Sequence, residues 1–592
     1  MPTKLYDVTK NLVRTALGQE KADLVVRNCL FVNVHTRELL EGVDLAMRFD
    51  RVALVGDAKP CIGPNTIVYD AGGKYVVPGL LDPHVHVEST MISVTQFARI
   101  VLPHGTTTCF IDPHEIGNVF GLEGVKLMIE ESRNLPLKVF VTYPSCVPAA
   151  PGFETAGAVI GPSDVAEAMK LPEVIALGEM MNFPGVLNCD DNVHGEIAET
   201  LKAGKLVEGH ETGLLGRELA AYASAGITAT HESVRKIDAI ERLRNGMYIY
   251  LREGSAWLDI KDTIRSYTEG KVDPRHICLC TDDREPASVL RDGHMDHCVR
   301  RAIEEGVDPL TAVQMATLNP AERYRLSYEL GNLAPGRFAD FLIVSDLTRF
   351  KIDAVFTYGK LVAKDGRLVA QLPNFHYPEK FMTSVRLPRT LSSEDFKIPY
   401  NGKGEVRVRV IEAIEGSVLT RNSSAHLDVV RGNVVADSDQ SILKTAVVER
   451  HGLKGTMATG FTKGFGFKKG AISSTVAHDS HNLLILGLSE KDMAVAANEN
   501  ARMNGGIVTV VDGEVKARVE LPIAGLMSPD KAEVVAEKLS NTYELWRRMG
   551  CDWVSPFMTM SLIPLSVLPE LRLTDLGLLD TVNFRFVDLI LE

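Results

Sequence analysis

His84 and His86 stand one residue apart at the end of VVPGLLDPHVH, an apolar run otherwise fit only for burial. Side chains two apart on a strand share a face, so two imidazoles sit side by side just past the strand's carboxyl end. Such a pair is either half of a metal site or two solvated loop histidines, and further ligands at compatible places decide between them. Those ligands recur along the chain. Short apolar runs end in Asp112 and His114 (TTTCFIDPH), Ser145 (KVFVTYPS), Glu179 (VIALGE), His210 (KLVEGH), His231 and Glu232 (GITATHE), Arg252 and Glu253 (GMYIYLRE), and Asp282 and Asp283 (HICLCTDD).

Four histidines with two carboxylates suit a divalent cation of the Zn, Fe or Mn kind. They also suit two such cations if one carboxylate bridges them. Glu179 is the natural bridge, because a carboxylate can address two ions about 3.5–4 Å apart. Cys278 and Cys280 share a face of the last run and read as small buried hydrophobes rather than ligands.

The elements that must position these groups follow from the rhythm of residues 77–330. β-Branched runs alternate with helical stretches such as SVTQFARIVLPHG, GLEGVKLMIEESRN and VRKIDAIERLRNG, the pattern of βα units around a parallel sheet. Eight such runs predict a (β/α)8 TIM-type barrel, whose chemistry gathers at the carboxyl ends of the strands. Residues 1–76 and 331–380 are strand-rich, with DAGG and DG turns, and combine into one small β-domain around the barrel segment. Residues 381–592 mix alternating strands with helices and form a separate C-terminal α+β domain. Within it TGFTKGFGFKKG, residues 459–470, lacks the spacing of a phosphate loop. Its glycines suggest a mobile loop, acting as a lid.

Composition narrows the function classes. A chain of 592 residues exceeds one domain, and 45% hydrophobic with 24% charged residues is ordinary globular composition. A net charge of −13 argues against a nucleic-acid partner. An uncharged apolar stretch of roughly 18 residues, as a membrane span needs, is absent. The first residues predict an amphipathic helix rather than a signal peptide. Nine scattered cysteines without a CxxC pair read as reduced thiols of a cytoplasmic protein.

VVPGLLDPHVHVES resembles the first metal-binding strand of the amidohydrolase superfamily. TTTCFIDPHEIGNVFG, ALGEMMNFPGV, EGHETGL, THES, REGSA, CTDDR, HMDHCVRRAIEEGVDPLTAVQMATLNPA and the C-terminal VAHDSHNLLILG resemble the bacterial adenine deaminase family, over essentially the whole chain. The resemblance implies a barrel flanked by a composite β-sandwich. It implies two divalent ions per subunit, Mn2+ or Fe2+ ahead of Zn2+. His84, His86 and Asp282 would hold the first, His210 and His231 the second, and Glu179 would bridge them. One departure is EGHETG, where the family pattern has a small residue and proline after the histidine.

The activity implied is hydrolytic deamination of adenine to hypoxanthine and ammonia, a purine-salvage reaction, by a metal-activated hydroxide attacking carbon 6. Asp282, Glu179 and His231 would carry catalysis, with Asp282 as proton shuttle. Asp112, His114 and Glu115, with Glu232, Ser233 and Arg252, are candidates for substrate contact. Asp479 and His481 of AHDSHN are a candidate C-terminal contribution, closing over the site or holding an extra ion. Relatives of this kind suggest a homo-oligomer, a dimer first. The alternatives are a cyclic amide or imide hydrolase of the dihydroorotase and hydantoinase type, which needs the same ions, and a non-enzymatic metal-binding scaffold whose C-terminal domain binds partners.

Many superfamily relatives bridge their ions with a carboxylated lysine, and no lysine ends the VIALGEM run. Apoprotein reloaded with Mn2+ in bicarbonate-free buffer is therefore expected to regain full activity. Activation that requires added bicarbonate would count against Glu179 as the bridge.

Overall fold

In the computed structural model, which describes residues 2–591, the first surprise lies at the first histidine pair. (Met1 and Glu592, the ends of the 1–76 and 381–592 segments, lie outside the described residues.) The run YVVPGLLD, expected as one strand, is two. Tyr75–Pro78 joins an outer sheet, and Leu80–Val85 opens the barrel as β1. Gly79 is where they part. A Cβ there would stand 2.4 Å from Thr107 Oγ1, so only glycine lets the chain pass between the two layers.

Seven parallel strands follow β1: β2 (Thr106–Ile111), β3 (Lys138–Tyr143), β4 (Val174–Met180), β5 (Leu206–Gly209), β6 (Ile227–Thr230), β7 (Tyr248–Arg252) and β8 (Ile277–Cys280). They pair in chain order as one eight-stranded sheet. The ring closes where the Asp282 amide donates to the His84 carbonyl (3.1 Å) and the Thr281 amide donates to the Asp82 carboxylate (3.3 Å). Closure thus brings His84 and Asp282 together. The amino-terminal end of the barrel is plugged by Tyr324 stacked on Phe110, 4.0 Å between ring centroids. Beside them Arg323 pairs with Glu208 at 2.7 Å. Cys278 and Cys280 are buried against Ala229 and Tyr250.

The strand-rich segments on either side of the barrel share a sheet. Tyr75–Pro78 runs antiparallel to Phe341–Asp346, and the resulting seven-stranded sheet stacks on a four-stranded one built from residues 24–70. Leu24, Phe31, Met47, Val76, Phe341 and Phe356 fill the layer between. Lys138, at the start of β3, fastens this sandwich to the barrel. It is buried, pairs with Asp340 at 2.8 Å, and lies 3.5 Å over the Tyr358 ring.

The C-terminal segment folds around a ten-stranded sheet with the helices Glu490–Arg502 and Ala532–Arg548. The expected mobile loop at 459–470 is overturned here. Met457–Lys463 is a strand paired along its length with Ile442–Val448, and Phe461, Phe465 and Phe467 are buried. The three phenylalanines in TGFTKGFGF anchor what its glycines alone would leave loose. Among the described residues no helix is long and apolar enough to cross a membrane.

Lys138→Ala would leave Asp340 as a buried carboxylate without its cation. The expected cost is about 3–5 kcal/mol, seen as a lower thermal midpoint with the metal content unchanged. An unaltered midpoint would show that the pair does not fasten the two units.

Candidate metal centre

The six candidate ligands ride on the carboxyl ends of five strands or just beyond them: His84 on β1 and His86 just after it, Glu179 on β4, His210 after β5, His231 after β6 and Asp282 after β8. All but His210 are buried, and His210 is half-buried. Asp282 adopts φ 56°, a left-handed conformation that aspartate tolerates better than most residues. It turns the carboxylate back over the barrel axis.

Their separations are those of lone pairs converging on a cation. His86 Nε2 is 3.2 Å from Asp282 Oδ1 and 3.5 Å from Glu179 Oε1, while His84 Nε2 is 3.5 Å from Asp282 Oδ1. Metal–ligand bonds of about 2.0–2.2 Å put neighbouring ligand atoms roughly 3–3.5 Å apart. His84 Nε2 is buried and has no hydrogen-bond partner among the described residues. Glu179 faces both ways, with Oε1 toward His86 and Oε2 toward His231 (3.2 Å) and His210 Nδ1 (2.7 Å). A set of imidazole nitrogens and carboxylate oxygens with these gaps fits one or two divalent ions.

The same arrangement sets the charges. Burial pushes the Glu179 carboxyl up, but the imidazoles of His210, His231 and His86 outweigh it and hold it well below the usual carboxylate range. Asp282 follows the same pattern under His84, His86, His231 and Arg252. In return burial lowers the His210 imidazole, but Glu232 and Glu179 carry it up to about 9.

Supporting contacts fix these orientations. His86 Nδ1–H donates to the Asp112 carbonyl at 2.9 Å, which leaves Nε2 facing the centre. The Glu179 amide donates to Asp112 Oδ2 (2.8 Å), and the Ser145 hydroxyl donates to the Glu179 carbonyl (2.8 Å). A Cβ on Gly178 would meet Asp112 Oδ2 at 2.5 Å, so glycine is needed for that approach.

Above these side chains lies a small chamber with a cavity volume of about 60 Å3. His114, Glu115, Glu232, Arg252 and Asp283 line it from the barrel. His478 and Asp479, with Val418, Leu562, Leu565, Val567 and Leu568, line it from the C-terminal segment, facing Trp257.

The amidohydrolase family profile matches residues 75–362, and the adenine deaminase C-terminal domain profile matches residues 417–585. A protein of Moorella thermoacetica named adenine deaminase is 53% identical over 100% of both chains. One of Clostridium botulinum with the same name is 49% identical over 99% of this chain and 98% of its own. The chain belongs to the adenine deaminase family. A further relative, adenine deaminase 3 of Rhizobium meliloti, is 47% identical over 99% of each chain.

In this family member several candidate substrate contacts sit elsewhere than expected. Asp112 is fully buried, does not line the chamber, and accepts the Glu179 amide with its carboxylate. Ser233 is buried and does not line the chamber. Arg252 does line it, but as a buried cation shared among Glu232 (2.6 Å), Asp282 (2.9 Å) and Asp259 (2.8 Å), not as an exposed rim residue. His114 and Glu115 open a helix, His114–Ser132. His481 is buried behind the chamber, its Nδ1 accepting the Ala477 amide at 3.2 Å. The chamber histidine of AHDSHN is His478, which the sequence reading passed over because it paired residues two apart.

The EGHETG departure has a physical counterpart. Glu211 is fully buried and accepts from Arg242 Nε at 2.9 Å, with Arg242 itself buried on the helix Lys236–Arg244. The pair stiffens the loop beside His210 without a proline.

Carboxylates that raise His210 to about 9 keep that imidazole protonated at neutral pH when no cation is present. Metal and proton compete for it, so affinity should rise with pH up to about 9 and weaken as pH falls. Adding Mn2+ to apoprotein at pH 7 in a pH-stat is expected to release protons. Binding without proton release would contradict this charge balance.

Proposed function

We propose that the chain deaminates adenine hydrolytically, exchanging the exocyclic amine on carbon 6 for oxygen and giving hypoxanthine and ammonia. The observation that carries the reading is Glu179, whose two oxygens face different histidines around gaps of ionic size, in a chain similar throughout to proteins named adenine deaminase.

His84, His86 and Asp282 would hold one divalent ion, His210 and His231 the other, and Glu179 both. Manganese or iron fits this all nitrogen-and-oxygen set, and zinc is compatible with it. Such ions supply, when bound, hydroxide at neutral pH, because a coordinated water's pKa falls from 15.7 to about 7.

The rest is work for side chains. Asp282, held ionised by its imidazole neighbours and by Arg252, accepts the proton of the attacking water. It delivers that proton to N1, and the second proton of the water, left on the oxygen now bonded to carbon 6, passes by the same carboxylate to the departing amine, which leaves as ammonia. Arg252, bonded to Asp282 Oδ2 at 2.9 Å, keeps Oδ1 turned toward the histidines. Burial, reinforced by the nearby Glu88, pushes the Glu115 carboxyl well above its ordinary value. That shift favours its protonated form, which can donate to a ring nitrogen. Two carboxyls with opposed shifts in one chamber divide the roles of base and acid. Trp257 and the leucines of residues 562–568 exclude water from the faces of the base.

Adenine loss by absorbance, ammonia release and metal analysis test the reading together. Native protein is expected to carry two ions, to turn over adenine, and to leave dihydroorotate and hydantoin untouched. Asp282→Asn should lower kcat by roughly 10²–10⁴, and Glu179→Gln should lose metal and activity. A Glu179→Gln protein that keeps two ions and full turnover would remove the bridge.

A further inference from the structure

Asp479 reaches the chamber from far along the chain. The loop carrying it is tied to the roof, the His478 amide donating to the Ser561 carbonyl at 2.9 Å. It is tied to the barrel through Asn482 Nδ2, which donates to the Thr155 carbonyl at 2.8 Å. Asp479 is 2% exposed. Its Oδ1 lies 3.6 Å from His114 Nε2 and 3.7 Å from His478 Nδ1, beyond good hydrogen bonds, and its Oδ2 meets no donor among the described residues. Glu115, 3.7 Å from the same His478 Nδ1, belongs to the same wall. Among the described residues, no lysine or arginine comes within 4.0 Å of either carboxyl group.

A buried acceptor without a donor is costly, and an orphan of this kind calls for an explanation. Position supplies one. The His114 ring spans the interval between the two ends of the chamber, with Nδ1 3.3 Å from Glu179 Oε1 and Nε2 3.6 Å from Asp479 Oδ1. A bicyclic base with carbon 6 toward Glu179 therefore points its far edge, N3 and N9, at the wall holding Glu115 and Asp479. Leu562, Leu565 and Leu568 leave it an apolar slot.

We infer that Asp479 accepts the N9–H of the purine and thereby selects the free base over N9-substituted purines, nucleosides among them. The inference rests on adenine as the substrate. N3, beside N9 and without a hydrogen, takes the neighbouring donor from Glu115. A substituent on N9 removes the donor offered to Asp479 Oδ2 and thrusts carbon against a buried carboxyl group, which is a strong basis for rejection.

The test compares adenine with 9-methyladenine on native protein and on Asp479→Asn and Asp479→Ala, with metal analysis of each. Native protein should strongly prefer adenine. Both variants should keep two ions and lose roughly 10- to 100-fold in kcat/KM on adenine, mainly through KM. Asp479→Ala should handle 9-methyladenine no worse than native protein does, so that the preference collapses. Calorimetric binding of hypoxanthine against 9-methylhypoxanthine should show the same collapse without turnover. Equal losses on methylated and unmethylated ligands would overturn the inference, as would an ion that native protein holds and the variants lose. A two-ion native protein inert toward adenine would instead remove the proposed activity.

Discussion

A carboxylate taken out of water must share its space with positive charge or lose its own. Glu179 sits 3% exposed at the carboxyl end of β4, and most of the nearby architecture serves that constraint. Histidines arrive from three other strands to surround it. Asp112 and Ser145 clamp its backbone, and Gly178 leaves room for the clamp. The arrangement is over-determined in the way functional sites are: several independent elements hold one side chain with both oxygens committed. Without cations, His86 and His210 are the imidazoles whose carboxylate neighbours favour the protonated form, which makes metal affinity and acidity two readings of one field.

The two pushes on acidity in the chamber come from the same source used differently. Asp282 and Glu115 are both buried carboxyl groups. Imidazoles and Arg252 border the first, whereas Glu88, another carboxyl, stands near the second. Neighbours, not depth, set which one ionises. Arg252 looks in sequence like a partner for Glu253, yet it spends its donors on Glu232, Asp259 and Asp282, and in doing so decides which oxygen of Asp282 is free to work.

Much of this was legible in the linear sequence. Parallel strands ending in ligating residues are a local pattern, and strand closure converts it into a common mouth without further information. Long-range pairing was not legible. YVVPGLLD reads as one strand because nothing in its composition says that Thr107 will press against Gly79. TGFTKGFGF reads as loose because glycine advertises freedom, while the burial of Phe461, Phe465 and Phe467 depends on partners elsewhere in the C-terminal sheet. Asp112 reads as a substrate contact because strand-end carboxylates converge, but whether one faces up into the chamber or sideways under β4 is a matter of tertiary packing. The same limit hid His478, which turns inward while His481 turns away, and the leucine roof, whose residues resemble any other core.

The chamber draws its floor from residues 86–283 and its roof from residues 418–568. Synthesis runs from the amino terminus, and domains fold as they emerge. A nascent chain released as far as the end of the barrel already owns all six candidate ligands, yet nothing covers them. Competence therefore arrives late and all at once, when the last third of the polypeptide docks, and an unfinished or truncated chain would present the candidate ligands without enclosing anything for an ion to act on.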